Sequence, residues 1–300
     1  MHDSILMNRH AIAALEQLDF DRALELFREN AKKAPGHLSF NNLGKFYYDE
    51  GYRTKDRTWR SARKLGLYYL EKARGITANR VNLLNIGTAL FDVGTYDTGD
   101  YGEAYEAFCV AEKFDSTGIA KYDAGICLLA AKEYEKAKDA FSALTKMDED
   151  GLLQLPEEKD PRVALLFSSI LSSSSFDHTE NEELIERVLA KVDEYDRISL
   201  LYLLGRYEEV NESCDSFLKL WVPDTELAAM LLDSDSRCCG GKASLIRDRL
   251  SIGVDKKTVA RMLRSPQSLK ETAGHFSYCE PLIKECGYYG CERHHTPLPT

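Results

Sequence analysis

The chain has 300 residues, of which 44% are hydrophobic and 29% are charged, and its formal net charge is −10. This composition is typical of a globular protein with a sizeable core, and the negative charge argues against a general nucleic-acid coat. No run approaches the ~18 apolar residues of a membrane span, and the first residues lack a secretory signal pattern. We therefore expect a cytoplasmic protein whose eight cysteines are reduced.

The first predicted element is a helical hairpin with Ala11 on its first helix and Phe20, Ala23 and Phe27 on its second. The last three residues share one helix face, because residues three and four apart lie on the same side of a helix. A short link between such helices predicts an antiparallel hairpin.

Three more hairpins follow, and they use the same offsets or longer links. The link in the second hairpin, which turns at Gly51, is roughly ten residues longer than the repeat needs, and its second helix is expected around residues 58 to 74. Missing side chains at the packing glycines let the paired helices approach closely. The pattern residues are Gly44, Leu65, Tyr69, Leu70 and Ala73, then Gly87, Tyr101, Ala104, Phe108 and Ala111, then Gly125, Tyr134, Ala137 and Phe141. The first 147 residues therefore indicate a repeat architecture.

Beyond an acidic linker at residues 148–160, the repeat becomes degenerate. Residues 163–171 and 184–192 predict a fifth hairpin, and residues 198–204 and 207–214 predict a sixth, so that this part covers residues 148–222. Residues 223–300 predict short helices at 225–232, 243–250, 257–264 and 281–285. No strand-type alternation of useful length occurs, and the chain is predicted to be all-α.

Small and aromatic residues at this spacing resemble the tetratricopeptide (TPR) repeat family. The resemblance implies a right-handed superhelical solenoid of helical hairpins, followed here by a C-terminal helical, cysteine-rich cap. The first helix of each hairpin would line a concave groove that binds extended peptides or partner helices. In many TPR proteins an asparagine two residues before the packing glycine holds a ligand's main-chain amide through both its donor and its acceptor. Asn42, Asn85 and Asp123 occupy this position in three successive repeats.

The candidate peptide-binding residues implied by the resemblance are Asn42, Lys45, Tyr48, Asn85, Thr88, Asp92 and Asp123. The alternative is that the asparagines cap or bond neighbouring helices, since buried polar groups need partners. The chaperone-tail-binding subgroup needs lysines and arginines on the groove. Asn8, Ile12 and Val81 stand at matching places, which disfavours that specialised role.

The link of the second hairpin is strongly basic, although the whole chain is acidic. It suggests a contact for an acidic partner, and the alternative is a solvated helix face. Its basic residues, within residues 53–64, are Arg53, Lys55, Arg57, Arg60, Arg63 and Lys64.

The last twenty residues hold a dense group of metal-ligand side chains. Cys286, Cys291, His294 and His295 lie within ten residues, and two glycines between the cysteines allow the tight loop of a tetrahedral zinc site. The fourth ligand of a structural zinc would be one of these or a thiol from Cys279, Cys238 or Cys239. Buried or surface thiols and disulfides remain alternatives. A catalytic zinc is disfavoured, because the chain has no His-Glu-x-x-His motif and no obvious carboxylate base near the cysteines.

Residues 253–263 look like the turn and recognition helix of a helix-turn-helix. Asp248 and Arg249 stand where the preceding helix would need an apolar residue and an alanine. A close helix crossing cannot bury both charges, so nucleic-acid binding is disfavoured and a basic helical cap is preferred.

These observations predict a non-catalytic adaptor or receptor that binds a peptide or protein segment in the groove. One alternative is a peptide-responsive regulator whose basic C-terminal segment contacts nucleic acid. The other is a zinc-dependent enzyme that uses the Cys/His tail.

Overall fold

The computed structural model of the chain describes residues 2–54, 58–155, 159–172, 176–179, 181–220, 223–249, 254–265, 269 and 286–293. All regular elements in these ranges are helical, and no β-strand occurs in them. None of the described helices is long and apolar enough to cross a membrane. The all-α prediction is confirmed.

The chain divides into two compact units. Besides residues 147–155 and 286–293, the first unit contains seven helices: α1 (His2–Glu16), α2 (Phe20–Lys33), α3 (His37–Asp49), α4 (Trp59–Ile76), α5 (Arg80–Val93), α6 (Gly102–Glu112) and α7 (Ile119–Ala130). Helix α1 packs on α2, α3 on α4, and α5 on α6, and each pair also contacts the helix that follows it. These are the first three predicted hairpins.

Side-chain caps set where the second helices and the repeats begin. Asp19 accepts a hydrogen bond from the backbone N–H of Arg22 at the start of α2. Thr58 and Asn79 cap α4 and α5 in the same way. The first N–H groups of a helix have no carbonyl acceptor within the helix, and each cap supplies one. The short polar links therefore end at these residues. The predicted start of α4 at residue 58 agrees with the observed helix, which begins at Trp59.

The small positions of the repeat are close-contact points. A Cβ on Gly87 would lie 2.5 Å from the ring of Phe108, so α5 and α6 could not pack this closely with a larger residue there. Most of the predicted inward residues are almost completely excluded from solvent, whereas Leu65 and Tyr69 are half-buried. The excluded residues are Ala11, Ala23, Phe27, Leu70, Ala73, Ala104, Phe108 and Ala111. The spacing of small and aromatic residues is therefore the packing pattern of the first unit.

The second unit contains most of α8 (Tyr134–Glu149) together with seven further helices: α9 (Pro161–Ser172), α10 (Glu182–Leu189), α11 (Glu194–Leu203), α12 (Tyr207–Leu220), α13 (Thr225–Cys238), α14 (Ala243–Arg249) and α15 (Lys256–Met262). Helix α9 packs on α10 and α11 on α12, and α13 contacts α12, α14 and α15. Its core includes Phe167, Val188, Leu201 and Leu231.

Helix α13 is longer than the sequence predicted, because it continues six residues past Leu232. The predicted helix ends where four polar residues, at positions 233 to 236, begin. In the structure Asp233 accepts hydrogen bonds from the Tyr202 hydroxyl at 2.7 Å and from Arg237 at 2.5 Å. These bonds satisfy the carboxylate within the helix, which ends at Cys239 in the left-handed region.

The helix-turn-helix resemblance falls partly outside the described residues, since its turn includes Gly253. Helix α15 buries Val259 and Met262, and Asp248 on α14 is exposed. The position that a helix-turn-helix needs buried at the helix crossing is therefore solvated here.

A candidate peptide-binding surface on the first helices

The chain's own C-terminal residues lie on the first helices of the first three hairpins. We call residues 286–293 the tail segment, and the face of α1, α3 and α5 that they contact the α1–α3–α5 surface. This surface is defined by its contact residues: Ile5 and Arg9 on α1, Asn41, Asn42 and Lys45 on α3, and Val81 and Asn85 on α5. Tail segment and surface belong to the same compact unit.

Asparagine side chains hold the main chain of the tail segment at two residues, Gly287 and Tyr289. Asn42 donates to the carbonyl oxygen of Tyr289 and accepts from its N–H, and both distances are 2.8 Å. Asn41 and Asn85 both donate to the carbonyl oxygen of Gly287, at 2.8 and 3.0 Å. Because these bonds involve only main-chain atoms of the tail segment, they do not depend on its side chains.

The Tyr288 side chain fills a hydrophobic pocket between the first two hairpins. Its ring stacks on Phe27 with centroids 5.8 Å apart, and Ala11 and Phe46 belong to the same cluster. The Lys45 Nζ atom lies 5.6 Å from the ring centre, within the range of a cation–π contact. Burial, reinforced by the charges of Asp49 and Glu50, raises the pKa of Tyr288 well above its usual value. The side chain is therefore a neutral aromatic anchor.

Tyr289 occupies a second pocket and is completely buried. Leu38 and Val81 line the pocket, and His37 meets the ring edge-on at 6.2 Å between centroids. The hydroxyl donates to Asn79 Oδ1 at 2.5 Å. Burial raises the pKa of Tyr289 as well, so the hydroxyl is a donor at neutral pH.

The end of the tail segment turns at Gly290, where φ is +87°. The N–H of Cys291 donates to the carbonyl of Tyr288 at 3.3 Å, and the Cys291 side chain is buried in the same cluster as Tyr288. Beyond it, Glu292 pairs with Arg9 at 3.2 Å and Arg293 with Glu16 at 3.4 Å. Both ion pairs are largely exposed and contribute little. The affinity of the contact therefore lies in residues 287–291.

Three of the predicted peptide-binding residues contact the tail segment, namely Asn42, Lys45 and Asn85. Lys45 also pairs with Asp49 at 2.9 Å. Thr88 is half-buried on α5, and Asp123 is buried in α7.

Tyr48 and Asp92, by contrast, bond each other at 2.5 Å. The Arg63 guanidinium lies 3.1 Å from Asp92 and 4.8 Å from the centre of the Tyr48 ring. Burial raises the pKa of Asp92, although the Tyr48 hydrogen bond and the Arg63 charge oppose this rise. These two predicted residues thus join α3, α4 and α5 to one another.

Two asparagines that hydrogen-bond to the tail segment were not predicted, namely Asn41 and Asn79. Asn41 directly precedes Asn42, and two adjacent asparagines in an apolar helix are an unusual signal. Asn79 also caps α5, where it accepts from the N–H of Asn82 at 3.1 Å, and this local role conceals its contact with Tyr289.

The basic link of the second hairpin is partly used within the chain. Arg63 stacks 3.9 Å from the Trp59 ring centre, and Arg53 pairs with Glu50 at 2.8 Å. Arg60 and Lys64 are exposed, whereas Lys55 and Arg57 lie outside the described residues. An acidic partner at residues 53–64 stays a prediction.

The zinc prediction also stays open. No group of three or more histidine, cysteine, aspartate or glutamate side chains suited to a metal occurs in the part of the chain that the structure describes. His294, His295 and Cys279 lie outside that part. Of the other proposed ligands, Cys286 and Cys291 pack in the apolar cluster around Phe27, while Cys238 and Cys239 end α13 in the second unit.

No family model matches the chain, and no curated protein matches its sequence. A solved structure, the crystal structure of a tetratricopeptide repeat protein from Parabacteroides merdae, is similar to it with a TM-score of 0.60. The similarity covers 88% of this chain and 98% of that chain at 14% sequence identity. At this identity the comparison shows the fold alone. The chain has a tetratricopeptide-type fold, as its spacing of small and aromatic residues predicted.

Proposed function

We propose that the protein is a non-catalytic adaptor or receptor that binds an extended segment of a partner protein on the α1–α3–α5 surface. One observation carries this proposal: the Asn42 amide bonds both the main-chain N–H and the main-chain carbonyl oxygen of Tyr289 at 2.8 Å. A side chain placed in this way can hold the main chain of many sequences, while the two pockets beside it select side chains.

The chemistry of the surface favours binding over catalysis. Its polar groups include the buried amides of Asn41 and Asn42 and the half-buried amide of Asn85, which neither titrate nor act as nucleophiles. They are held in place by one another, since Asn85 donates to Asn41 Oδ1 at 3.0 Å. Such a fixed amide network suits recognition of a peptide backbone.

The proposal is tested with a displayed library of random peptides and the full-length chain carrying Tyr289→Ala, because the chain's own Tyr289 side chain otherwise fills one of the two pockets. We expect selected peptides whose affinity falls about tenfold or more when Asn42 is changed to Ala, since two hydrogen bonds to the ligand are lost. Glu103→Gln is the control, because this residue is exposed on α6 and lies outside the tail contacts. Peptides that bind both variants equally, or a library that gives no binder, would contradict the proposal.

A second contact for an acidic partner at residues 53–64 is a subsidiary part of the proposal, supported by the exposure of Arg60 and Lys64. We expect Arg60→Glu with Lys64→Glu to weaken such a partner without changing peptide binding at Asn42. A nucleic-acid partner is disfavoured by the net charge of −10. Such a partner would show itself as salt-dependent binding to duplex DNA, which we do not expect. The expected cytoplasmic location rests on the sequence.

A further inference from the structure

We infer that the α1–α3–α5 surface selects a segment with the order glycine, tyrosine or phenylalanine, tyrosine, glycine, and that a partner carrying it must displace the chain's own tail segment. The inference rests on the proposed function and names the chemistry of the partner. Each of the four positions is argued from a separate contact.

The first position admits only glycine. A Cβ on Gly287 would lie 2.0 Å from Oδ1 and 2.6 Å from Nδ2 of Asn85. The Asn85 amide cannot turn away freely, because it donates to the Gly287 carbonyl and to Asn41 Oδ1. Any side chain at this position therefore breaks the network that holds the main chain.

The second position selects an aromatic ring and does not require a hydroxyl. The Tyr288 ring stacks on Phe27, but its buried hydroxyl oxygen has no hydrogen-bond partner among the described residues. Burying a polar group without a partner is unfavourable. Phenylalanine should therefore bind in this pocket at least as well as tyrosine.

The third position does require a hydroxyl. Tyr289 is fully buried, and its hydroxyl donates to Asn79 Oδ1. Phenylalanine would fill the same space but leave this hydrogen bond unmade. The surface thus distinguishes two neighbouring aromatic residues by opposite preferences.

The fourth position needs glycine for a different reason from the first. With φ at +87°, Gly290 is in the left-handed region, which other residues rarely adopt. A Cβ there would also lie 3.3 Å from the carbonyl oxygen of Ile5. This turn brings Cys291 back into the apolar cluster.

The tail segment already satisfies all four positions. Both pockets are filled, and the amides of Asn41, Asn42 and Asn85 are bonded to it. A covalently attached segment acts at an effective concentration of about millimolar when its connection is flexible. A separate partner with the same sequence should therefore bind poorly until the tail segment is released.

The test uses the full-length chain and a fluorescent synthetic peptide that reproduces residues 284–293, kept under reducing conditions. Gly287→Leu in the protein should release the tail segment, and Tyr289→Ala is a second releasing variant that acts through the other pocket. Glu292→Gln is the matched control, because its ion pair is exposed and its loss should leave the tail segment bound. Circular dichroism and thermal melting establish that each variant is folded.

We expect both releasing variants to bind the peptide about tenfold or more tightly than wild type and than Glu292→Gln, as removal of an attached competitor predicts. On a releasing variant, a peptide with Tyr288→Phe should bind as well as the native peptide or better. Peptides with Gly287→Ala, Tyr289→Phe or Gly290→Ala should each bind about tenfold more weakly, which corresponds to one lost hydrogen bond or a comparable strain.

Equal binding of all five peptides would overturn the inferred sequence preference. Equal binding to wild type and to the releasing variants would overturn the competition. The competition would also be overturned if the wild-type chain formed dimers that Gly287→Leu abolishes, because the tail segment would then bind a second copy of the chain. Library peptides that bind through Asn42 while the tail peptides do not would leave the proposed function standing and this inference wrong.

Discussion

Gly44 and Gly66 face each other across the α3–α4 contact, and each occupies the space that a side chain of the other would need. A Cβ on Gly44 would lie 2.9 Å from the carbonyl oxygen of Gly66 and 2.8 Å from the backbone nitrogen of Leu70. The reverse holds for Gly66, whose Cβ would lie 2.9 Å from the carbonyl oxygen of Gly44. Because the obstacles are backbone atoms, neither helix can yield locally.

Gly44→Ala should therefore destabilise the first unit by about 1–3 kcal/mol, the usual cost of overpacking. Gly75→Ala is the matched control, because it lies in α4 with no atom within 4 Å of the added methyl group. It should leave stability unchanged or raise it by about 0.5–1 kcal/mol, as alanine does in a helix. Urea unfolding measures both, and an equal loss in the two variants would contradict the packing.

Removal of Asn42 should free the tail segment without unfolding the hairpins. The Tyr289 N–H bonds only to Asn42 Oδ1 among its described contacts, so Asn42→Ala exposes this amide to exchange with solvent. We expect its hydrogen exchange to become about tenfold faster or more, from a loss of about 1–3 kcal/mol. Glu103→Gln, on the exposed face of α6, should leave it unchanged. If Asn42→Ala instead unfolds α3 and α5, the Asn42 side chain stabilises the hairpins themselves, and the prediction is wrong.

Asp115 should give the first unit a measurable acid sensitivity. Its carboxylate accepts hydrogen bonds from Arg80 at 2.7 Å, from the Thr117 hydroxyl at 2.6 Å and from the Ala120 N–H at 2.8 Å. Burial alone would raise the pKa of Asp115, but these donors outweigh burial and hold it below its ordinary value. In the acid range the unfolded chain therefore binds a proton more readily than the folded chain does.

The stabilisation from Asp115 is then complete above the unfolded pKa of about 3.9 and is lost as the pH falls through the lower folded pKa. Asp115→Asn should lower stability at neutral pH and flatten the loss of stability between about pH 5 and pH 2. Glu103→Gln, on the exposed face of α6, should follow wild type. Urea midpoints across this range decide the matter, and parallel pH curves for wild type and Asp115→Asn would contradict the assignment.

A zinc bound by the tail is a prediction of the sequence, and native mass spectrometry tests it directly. We expect one zinc per chain in protein purified without chelator. The predicted ligands are Cys286, Cys291 and further residues among His294, His295, Cys279, Cys238 and Cys239. Chelation should then speed amide exchange in the tail segment and leave α2 unaffected, because binding free energy at such a site is local folding free energy. A metal-free chain with all eight thiols reduced would contradict it.

Local patterns predicted the hairpins of the first unit well. Offsets among Ala11, Phe20, Ala23 and Phe27 carry enough information, because helix periodicity and close packing act over a few residues. Polar residues concealed the end of α13, where Asp233 is satisfied by partners that sequence spacing cannot show.

The occupant of the α1–α3–α5 surface could not be predicted in this way. Nothing periodic connects Asn42 to Tyr289, which are 247 positions apart. In the sequence, the two glycines of the Gly-Tyr-Tyr-Gly stretch indicate a tight loop, such as the loop of a zinc site. In the structure the glycines allow close approach to Asn85 and a left-handed turn, and a zinc at this stretch stays a prediction.

The separation of Asn42 and Tyr289 along the chain has a consequence during synthesis. The first unit's helices α1 to α7 end at Ala130 and leave the ribosome long before the tail segment is made. At about 5–20 residues per second the delay is roughly 8 to 30 seconds, while such hairpins fold in far less time. For that interval the pockets beside Phe27 and Val81 face solvent, and the nascent chain presents a hydrophobic surface that the finished protein covers. A chain terminated early by a nonsense codon before residue 286 would keep that surface exposed permanently.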